Sequence, residues 1–331
     1  MAETKIIRQP LEKKINSDPL GPLALCGKRL GVCDDPLHHQ KVCPDCLCII
    51  KKSNEEAETE SDSSNKQLAL FPELAEGLRA VPNTIARSAL FKVADKRIPR
   101  KHIDRKKPEI IAALKGISMK YSGPDLRQDD EDVLLEVYRI CREAGRIDDV
   151  PFIARQMLTT IKWNDDGKSY DRLKLILGYL SDGNMQVQTA REWFNGKLIR
   201  KIKARDKMSK DPGSREYRVW LEPEIARLFE AWTAIDFEQR LSLHSALAKA
   251  IHSHLSTHDD PYPYSVELWK TLSGSNTKTV WKFRQQLKTA LNELVKVGFL
   301  QAWNIDKKRD LVHVVRAIRP DPRQIKLSSG K

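Results

Sequence analysis

The sequence predicts an α+β fold: two units in tandem, each running helix, helix, turn, helix and basic hairpin, behind a flexible N-terminal extension. Three observations predict it. Apolar residues recur at helical spacing in two separate regions of the 331-residue chain. Each region closes with a pair of alternating, strand-like runs about a charged turn. An acidic tract, Glu55-Glu56-Ala57-Glu58-Thr59-Glu60-Ser61-Asp62-Ser63-Ser64, stands ahead of both and has too little apolar content to fold by burial.

In order along the chain, residues 1–52 are a Cys-containing module and 53–80 an acidic linker that carries the apolar peptide Gln67-Leu68-Ala69-Leu70-Phe71. Residues 81–235 are the first unit, 236–320 the second and 321–331 a flexible tail. Within the first unit Ile117, Met119 and Tyr121 alternate as in a half-buried strand. Glu131–Ala144 reads as a helix, with Val133, Leu134, Val137, Tyr138 and Cys141 on one face. Phe152–Trp163 is a second helix, stopped by Asn164-Asp165-Asp166-Gly167, and Lys168–Leu180 a third. The hairpin follows: a basic run from Lys197 to Lys207, a turn at Lys210-Asp211-Pro212-Gly213-Ser214, and the return Tyr217–Leu221.

The second unit repeats the order without repeating the residues. Ser245–His254 and Val266–Leu272 are helical, Ser273-Gly274-Ser275-Asn276 makes the turn, and Thr277–Val297 is one long helix. Phe299–Asn304 and Leu311–Arg316 are strands on either side of the tip Asp306-Lys307-Lys308-Arg309-Asp310. This is the order of a winged helix-turn-helix, so the predicted architecture is a tandem of winged-helix domains.

Lys and Arg number 58 against 45 Asp and Glu, a net charge of +13. That balance points to a polyanion, because basic side chains gain affinity by releasing counterions from phosphates. A membrane-surface protein would pair its charge with an amphipathic basic helix, and none stands out. No run approaches the ~18 apolar residues of a membrane span, and the first residues lack a signal-peptide core, so the reading is a cytoplasmic protein that binds nucleic acid.

On the Thr277–Val297 helix, Val280, Phe283, Leu287, Ala290, Leu291 and Leu294 form the core face. Thr277 opens the helix, and Lys278, Trp281, Lys282, Gln285 and Thr289 point away from the core. Lys suits guanine O6 and N7 or a phosphate, Gln suits adenine N6 and N7, and Trp or Thr can meet a thymine methyl. On the Lys168–Leu180 helix, Leu173, Ile176, Leu177 and Leu180 face the core; Lys168 and Lys174 face out with Asp171 and Leu175, flanked by Ser169, Tyr170 and Arg172. Asp171 and Leu175 are poor phosphate partners. The stronger signals in this unit are Arg200, Lys201, Lys203, Arg205 and Lys207 of the hairpin and the basic arm from Lys96 to Lys107, with Lys307, Lys308 and Arg309 at the second tip. Such side chains position a protein on the backbone rather than specify sequence.

Catalytic signatures are weak. Gly167-Lys168-Ser169 mimics the end of a phosphate-binding loop, but the residue five before Gly167 is Lys162, not Gly, and a helix precedes it. His252-Ser253-His254 resembles the paired histidines of nicking enzymes, but on a helix that spacing splays them apart; with His258 they read as surface residues without a ligand. Cys26, Cys33, Cys43, Cys46 and Cys48 cluster in the N-terminal module, where Cys43-Pro44-Asp45-Cys46 has the form of a zinc knuckle. Zinc held by Cys26, Cys33, Cys43 and Cys46 is the candidate cofactor; the other reading is a reduced, partly disordered tail, and no other cofactor is implied.

The segment Pro82-Asn83-Thr84-Ile85-Ala86-Arg87-Ser88-Ala89-Leu90-Phe91-Lys92-Val93 resembles the TrfA family of plasmid replication initiators. The likeness continues at Lys96–Arg100, at Tyr121–Glu131, at Asp260–Tyr264 and at Leu268–Ser275. The resemblance implies a protein of the bacterial cytoplasm that binds direct repeats (iterons) in double-stranded origin DNA, helps open an adjacent AT-rich segment with single-stranded DNA as a further ligand, and recruits host helicase and initiator proteins. It implies a monomer–dimer equilibrium and copy-number control, with no enzymatic activity and no membrane. Members also carry a peptide like the bacterial sliding-clamp motif, and Gln67, Leu68, Leu70 and Phe71 match its specified positions. An extended peptide of this kind can seat two apolar side chains in a pocket; alternatively these residues staple the linker to the first unit. A winged-helix transcription regulator would explain the units but not the peptide, and a nicking initiator would need a metal–Tyr site that the sequence does not assemble.

Overall fold

The computed structural model describes residues 74–317, apart from 96, 191–192, 206–210 and 307. The cysteines proposed for zinc, the clamp-like peptide, Lys207, Lys307 and the tail therefore lie outside the described residues. The elements run β1 (Leu78–Pro82), α1 (Asn83–Ala86), β2 (Phe91–Lys92), β3 (His102–Ile103), β4 (Glu109–Ile111), β5 (Ser118–Pro124), β6 (Leu126–Arg127) and α2 (Gln128–Glu143). There follow β7 (Val150–Ile153), α3 (Ala154–Thr160), α4 (Gly167–Asp182), β8 (Asn184–Gln188), β9 (Trp193–Lys197), β10 (Lys201–Arg205), β11 (Glu216–Trp220), α5 (Ile225–Leu228) and β12 (Trp232–Asp236). The remainder is α6 (Phe237–Leu241), α7 (Ala246–Ser256), β13 (Tyr264–Ser265), α8 (Val266–Leu272), α9 (Val280–Lys296), β14 (Leu300–Ile305) and β15 (Leu311–Arg316).

Two hydrophobic cores organise these elements. One gathers buried side chains from Ala80 to Phe237, the other from Leu243 to Val312. In the first, α2 is buried along Val133, Leu134, Val137, Tyr138 and Cys141, the face that the helical spacing predicts. Cys141 is a buried free thiol, its pKa pushed up to about 12 by burial, so it is no nucleophile. The first core is closed by β12, which returns to pair antiparallel with β1, Ala80 opposite Ala234.

Two small sheets repeat one another. β7, β11 and β10 form a three-stranded sheet with β11 central, and β13, β15 and β14 form a second with β15 central. In each, the first strand leads straight into the shorter of two helices joined by a turn. The turn between α3 and α4 holds Lys162 in the left-handed region at φ 56°, and the turn between α8 and α9 holds Gly274 there at φ 58°.

The first half also departs from the predicted order. Between α4 and β10 it inserts the hairpin β8–β9, which extends an antiparallel sheet with β3, β4 and β5. Met119, Tyr121, Met185, Val187 and Phe194 form the buried face of that sheet, while its other face is solvated. The helix expected over Phe152–Trp163 is shorter. Val150 to Ile153 pair with β11, because Val150 and Phe152 alternate inward opposite Val219 and Tyr217, and the helix begins at Ala154. The helix expected over Thr277–Val297 begins at Val280, since the Thr279 side chain caps it by accepting from the Lys282 N–H at 3.3 Å.

The cores meet through polar contacts. Arg87 donates from α1's C-terminal side to the Thr257 hydroxyl at 2.8 Å and to its carbonyl at 2.7 Å. The Val93 N–H donates to the Ser273 carbonyl at 2.9 Å, which sets the α8–α9 turn against the first half. A Cβ on Gly274 would lie 3.0 Å from Lys92 Cγ and 3.3 Å from the Ala89 carbonyl oxygen.

Candidate nucleic-acid interface

Helix α9 buries Phe283, Leu287, Ala290, Leu291 and Leu294, which turns Trp281, Lys282, Gln285 and Thr289 to solvent. Trp281 is 71% exposed, although tryptophan is highly buried on average. Lys288 shares this face, where the same periodicity places it. Lys278 is exposed in the approach to the helix. Thr277, by contrast, is half-buried: its hydroxyl donates to Gln286 Oε1 at 2.8 Å and accepts from Ser275 at 3.1 Å, so it shapes the turn.

The β14–β15 hairpin is fixed to this helix. Arg284, on the flank of α9, pairs with Asp310 at 2.6 Å at the base of the tip. The Asp306 carboxylate accepts from the N–H groups of Lys308 at 2.7 Å and Arg309 at 3.3 Å, and those bonds hold its pKa below the ordinary carboxylate value. Lys308 and Arg309 are thereby presented on a rigid, exposed tip.

Helix α4 is positioned in the same way but presents a different surface. Asp166 caps it, accepting from the Ser169 N–H at 2.7 Å. Lys168 and Lys174 are exposed, beside Asp171 and Leu175. Tyr170 is not on this face: three residues before Leu173, it falls on the buried stripe, 6% exposed, and its hydroxyl donates to Asp165. Arg172 pairs with Asp129 and stacks over the Trp163 ring at 4.0 Å, so it joins α4 to α2. Arg155 bridges Asp165 at 2.9 Å and Asp211 at 3.0 Å, linking the α3–α4 turn to the turn before β11.

In the β10–β11 hairpin Lys201, Lys203 and Arg205 alternate onto one exposed side, with Lys201 and Lys203 at 5.1 and 5.6 Å from the Trp220 ring centre. Arg200 is paired with Asp148. The basic arm is largely neutralised within the chain. Arg100 is anchored on Asp130 and over Tyr179, Lys101 faces Glu109, Arg97 faces Asp95, and His102 and Arg105 share Asp182. These contacts make the arm a structural strap.

A further basic surface depends on the unforeseen strands. Lys120, Gln186 and Asn195 lie in one row across β5, β8 and β9, with Lys197 opposite Asn184 in the next. Arg105, Pro108, Lys120, Ser122, Asn184, Gln186 and Lys197 line a recess of about 240 Å³, and Trp193 on the same side of β9 is 65% exposed. The alternation in Asn184–Gln188 was the available signal, although only the pairing with β5 shows which face stays open.

The histidines of α7 are core residues, which corrects their reading as a surface pair. His254 is 3% exposed and stacks on His258 at 5.4 Å, with Trp269 and Tyr264 edge-on. Burial, then His258 and Arg87, hold its pKa down to about 3. His252 packs against Phe299 and bonds Gln239 at 3.1 Å. Among the described residues no group of three or more His, Cys, Asp or Glu is arranged to hold a metal ion, and no helix is long and apolar enough to cross a membrane. Gly167-Lys168-Ser169 opens α4 and follows a helix, so it is no phosphate-binding loop.

The sequence model described as TrfA protein matches residues 48–316. The plasmid replication initiator protein TrfA of Escherichia coli is 28% identical over 267 residues, covering 78% of this chain and 67% of that protein. Among solved structures, domains 2 and 3 of RctB share the fold with TM-score 0.52 at 13% identity, over 72% of this chain and 99% of that one. A Pi initiator protein solved in complex with iteron DNA is more distant, with TM-score 0.40 at 13% identity over 56% of this chain and 94% of that one. The chain belongs to the TrfA family and is a homologue of a plasmid replication initiator.

Proposed function

We propose that this TrfA-family protein initiates plasmid replication by binding directly repeated double-stranded DNA at the origin through two winged-helix units. One observation carries the reading: α9 turns Trp281, Lys282, Gln285, Lys288 and Thr289 outward beside a hairpin fastened by Arg284 and Asp310. A helix held this way can lie in a major groove while the tip follows the backbone. In the first unit, Lys168, Lys174, Lys201, Lys203 and Arg205 supply phosphate contacts, and Lys120 and Lys197 extend that surface. The repeated order of strand, helix, turn, helix and hairpin supports assigning both halves to the winged-helix class.

The protein acts without catalysis of its own, drawing on binding and DNA deformation to open an adjacent AT-rich segment. The Gln67–Phe71 peptide docks on the sliding clamp, host helicase and initiator proteins are recruited to the opened origin, and a monomer–dimer equilibrium limits copy number. Zinc on Cys26, Cys33, Cys43 and Cys46 belongs to the same proposal.

The test is a footprint and gel-shift titration at fixed salt on origin fragments with and without the repeats. Protection confined to the repeats is expected; equal affinity for both fragments would overturn the reading. Supercoiled origin DNA incubated with Mg²⁺ separates the enzymatic alternative, in which a nick would appear with protein attached.

A further inference from the structure

We infer that a buried cluster of Glu131, Asp132, Arg240, Lys249 and Ser253 sets the distance and rotational phase between α4 and α9, and so determines which separation of two DNA segments the protein accepts. This rests on the reading that both helices face DNA in one complex.

Arg240 of α6 is fully buried where the two cores meet. Its Nε donates to Asp132 Oδ1 at 2.7 Å. One terminal nitrogen donates to Ser253 Oγ at 2.6 Å and the Lys249 carbonyl at 3.1 Å. The other donates to Gln128 Oε1 at 3.1 Å and Glu131 Oε2 at 3.2 Å. Every N–H of the guanidinium fork is thereby engaged. Lys249 pairs with the second oxygen of Asp132, and Ser253 donates to Glu131 at 2.9 Å. Two carboxylates face two cations, so the cluster is neutral and needs no counterion from outside.

What the cluster joins gives it a role. Glu131 sits in the first turn of α2 with Asp132 directly after it, and in that same turn Asp129 pairs with Arg172 of α4. Lys249 and Ser253 sit on α7, whose start is tied to α9: the N–H groups of His244 and Ser245 donate to Glu293. A continuous set of charged, directional contacts therefore runs from α4 through α2 and α7 to α9. Apolar packing would hold the two cores together equally well but tolerates sliding, whereas a planar fork bonded on all sides accepts one register. Arg240, Asp132 and Lys249 are positioning residues, remote from the outward faces that meet DNA.

The experiment compares full-length protein with two charge-balanced variants, Asp132→Leu/Arg240→Met/Lys249→Met/Glu131→Gln and the milder Asp132→Asn/Lys249→Met. Binding is titrated on a repeat and on derivatives in which one or two base pairs are added or removed between the two segments that the wild type protects. Wild type should lose about tenfold or more on altered spacing, while the variants lose only roughly threefold, a flattened profile at comparable melting temperature. If the first variant does not fold, the second carries the test. A folded variant with the wild-type spacing profile would overturn the positioning role. Absence of wild-type binding to the repeat would instead bring down the reading beneath it, and the positioning role with it.

Discussion

The two halves share a plan and use their charge differently. In the second, the lysines on the outer side of α9 have no carboxylate partner among the described contacts, and of that helix's cations only Arg284 forms a described ion pair, with Asp310. In the first, Arg155, Arg172 and Arg200 each hold a carboxylate, and α4 shows Asp171 and Leu175 beside its lysines. The first unit thus commits part of its charge to ion pairs that hold the chain together, while the outer side of α9 commits none of its lysines. Net charge alone does not distinguish these uses; pairing does.

The sharpest way to break the comparison is to separate the halves. Arg240→Ala leaves Glu131 and Asp132 buried without their fork and should cost about 3–5 kcal/mol, read as a lowered denaturation midpoint. Next, Lys282→Ala and Gln285→Ala should each weaken repeat binding by roughly 1–3 kcal/mol and relax preference at one base pair, whereas Lys174→Ala in α4 should leave sequence preference unchanged; gel shifts on mutated repeats decide it. If the two helices respond alike, the contrast drawn between them fails.

Acid should act on the second core through His254. Its folded pKa of about 3 lies below the ordinary histidine value, so the unfolded chain binds the proton first. The stability is present above pH ~6.5 and is lost as pH falls toward 3, at roughly 1.4 kcal/mol per unit. His254→Asn should flatten that slope relative to wild type in denaturation series from pH 7 to 4. The smallest effect belongs to the first hairpin: Lys201→Ala and Lys203→Ala should lower affinity evenly across sequences and reduce the salt slope by about 1 each.

The second half was the more legible in sequence. Val266–Leu272 and Leu311–Arg316 occur with the predicted bounds, because caps, Gly274 and strict alternation are local signals. Phe152 and Ile153 fit a helix locally, because their pairing with Tyr217 and Glu216 is distant in sequence. Tyr170 and Thr277 show the same limit at the candidate interface: a one-step phase error puts Tyr170 outside, and the later start of α9 leaves Thr277 in the turn, which only the neighbours Asp165 and Gln286 reveal. The recess at Lys120 and Lys197 rests on β8 and β9, which no local motif announced.

The pairing of β1 with β12 also orders events during synthesis. Leu78 finds its partner only when Asp236 has been made. At about 5–20 residues per second, β1 waits on the order of ten seconds or more on the ribosome with its edge open. Arg240 and Lys249, which need the finished N-terminal end of α2, emerge later still, so the polypeptide is assembled from its beginning forward and its most exposed moment falls before helix α9 exists.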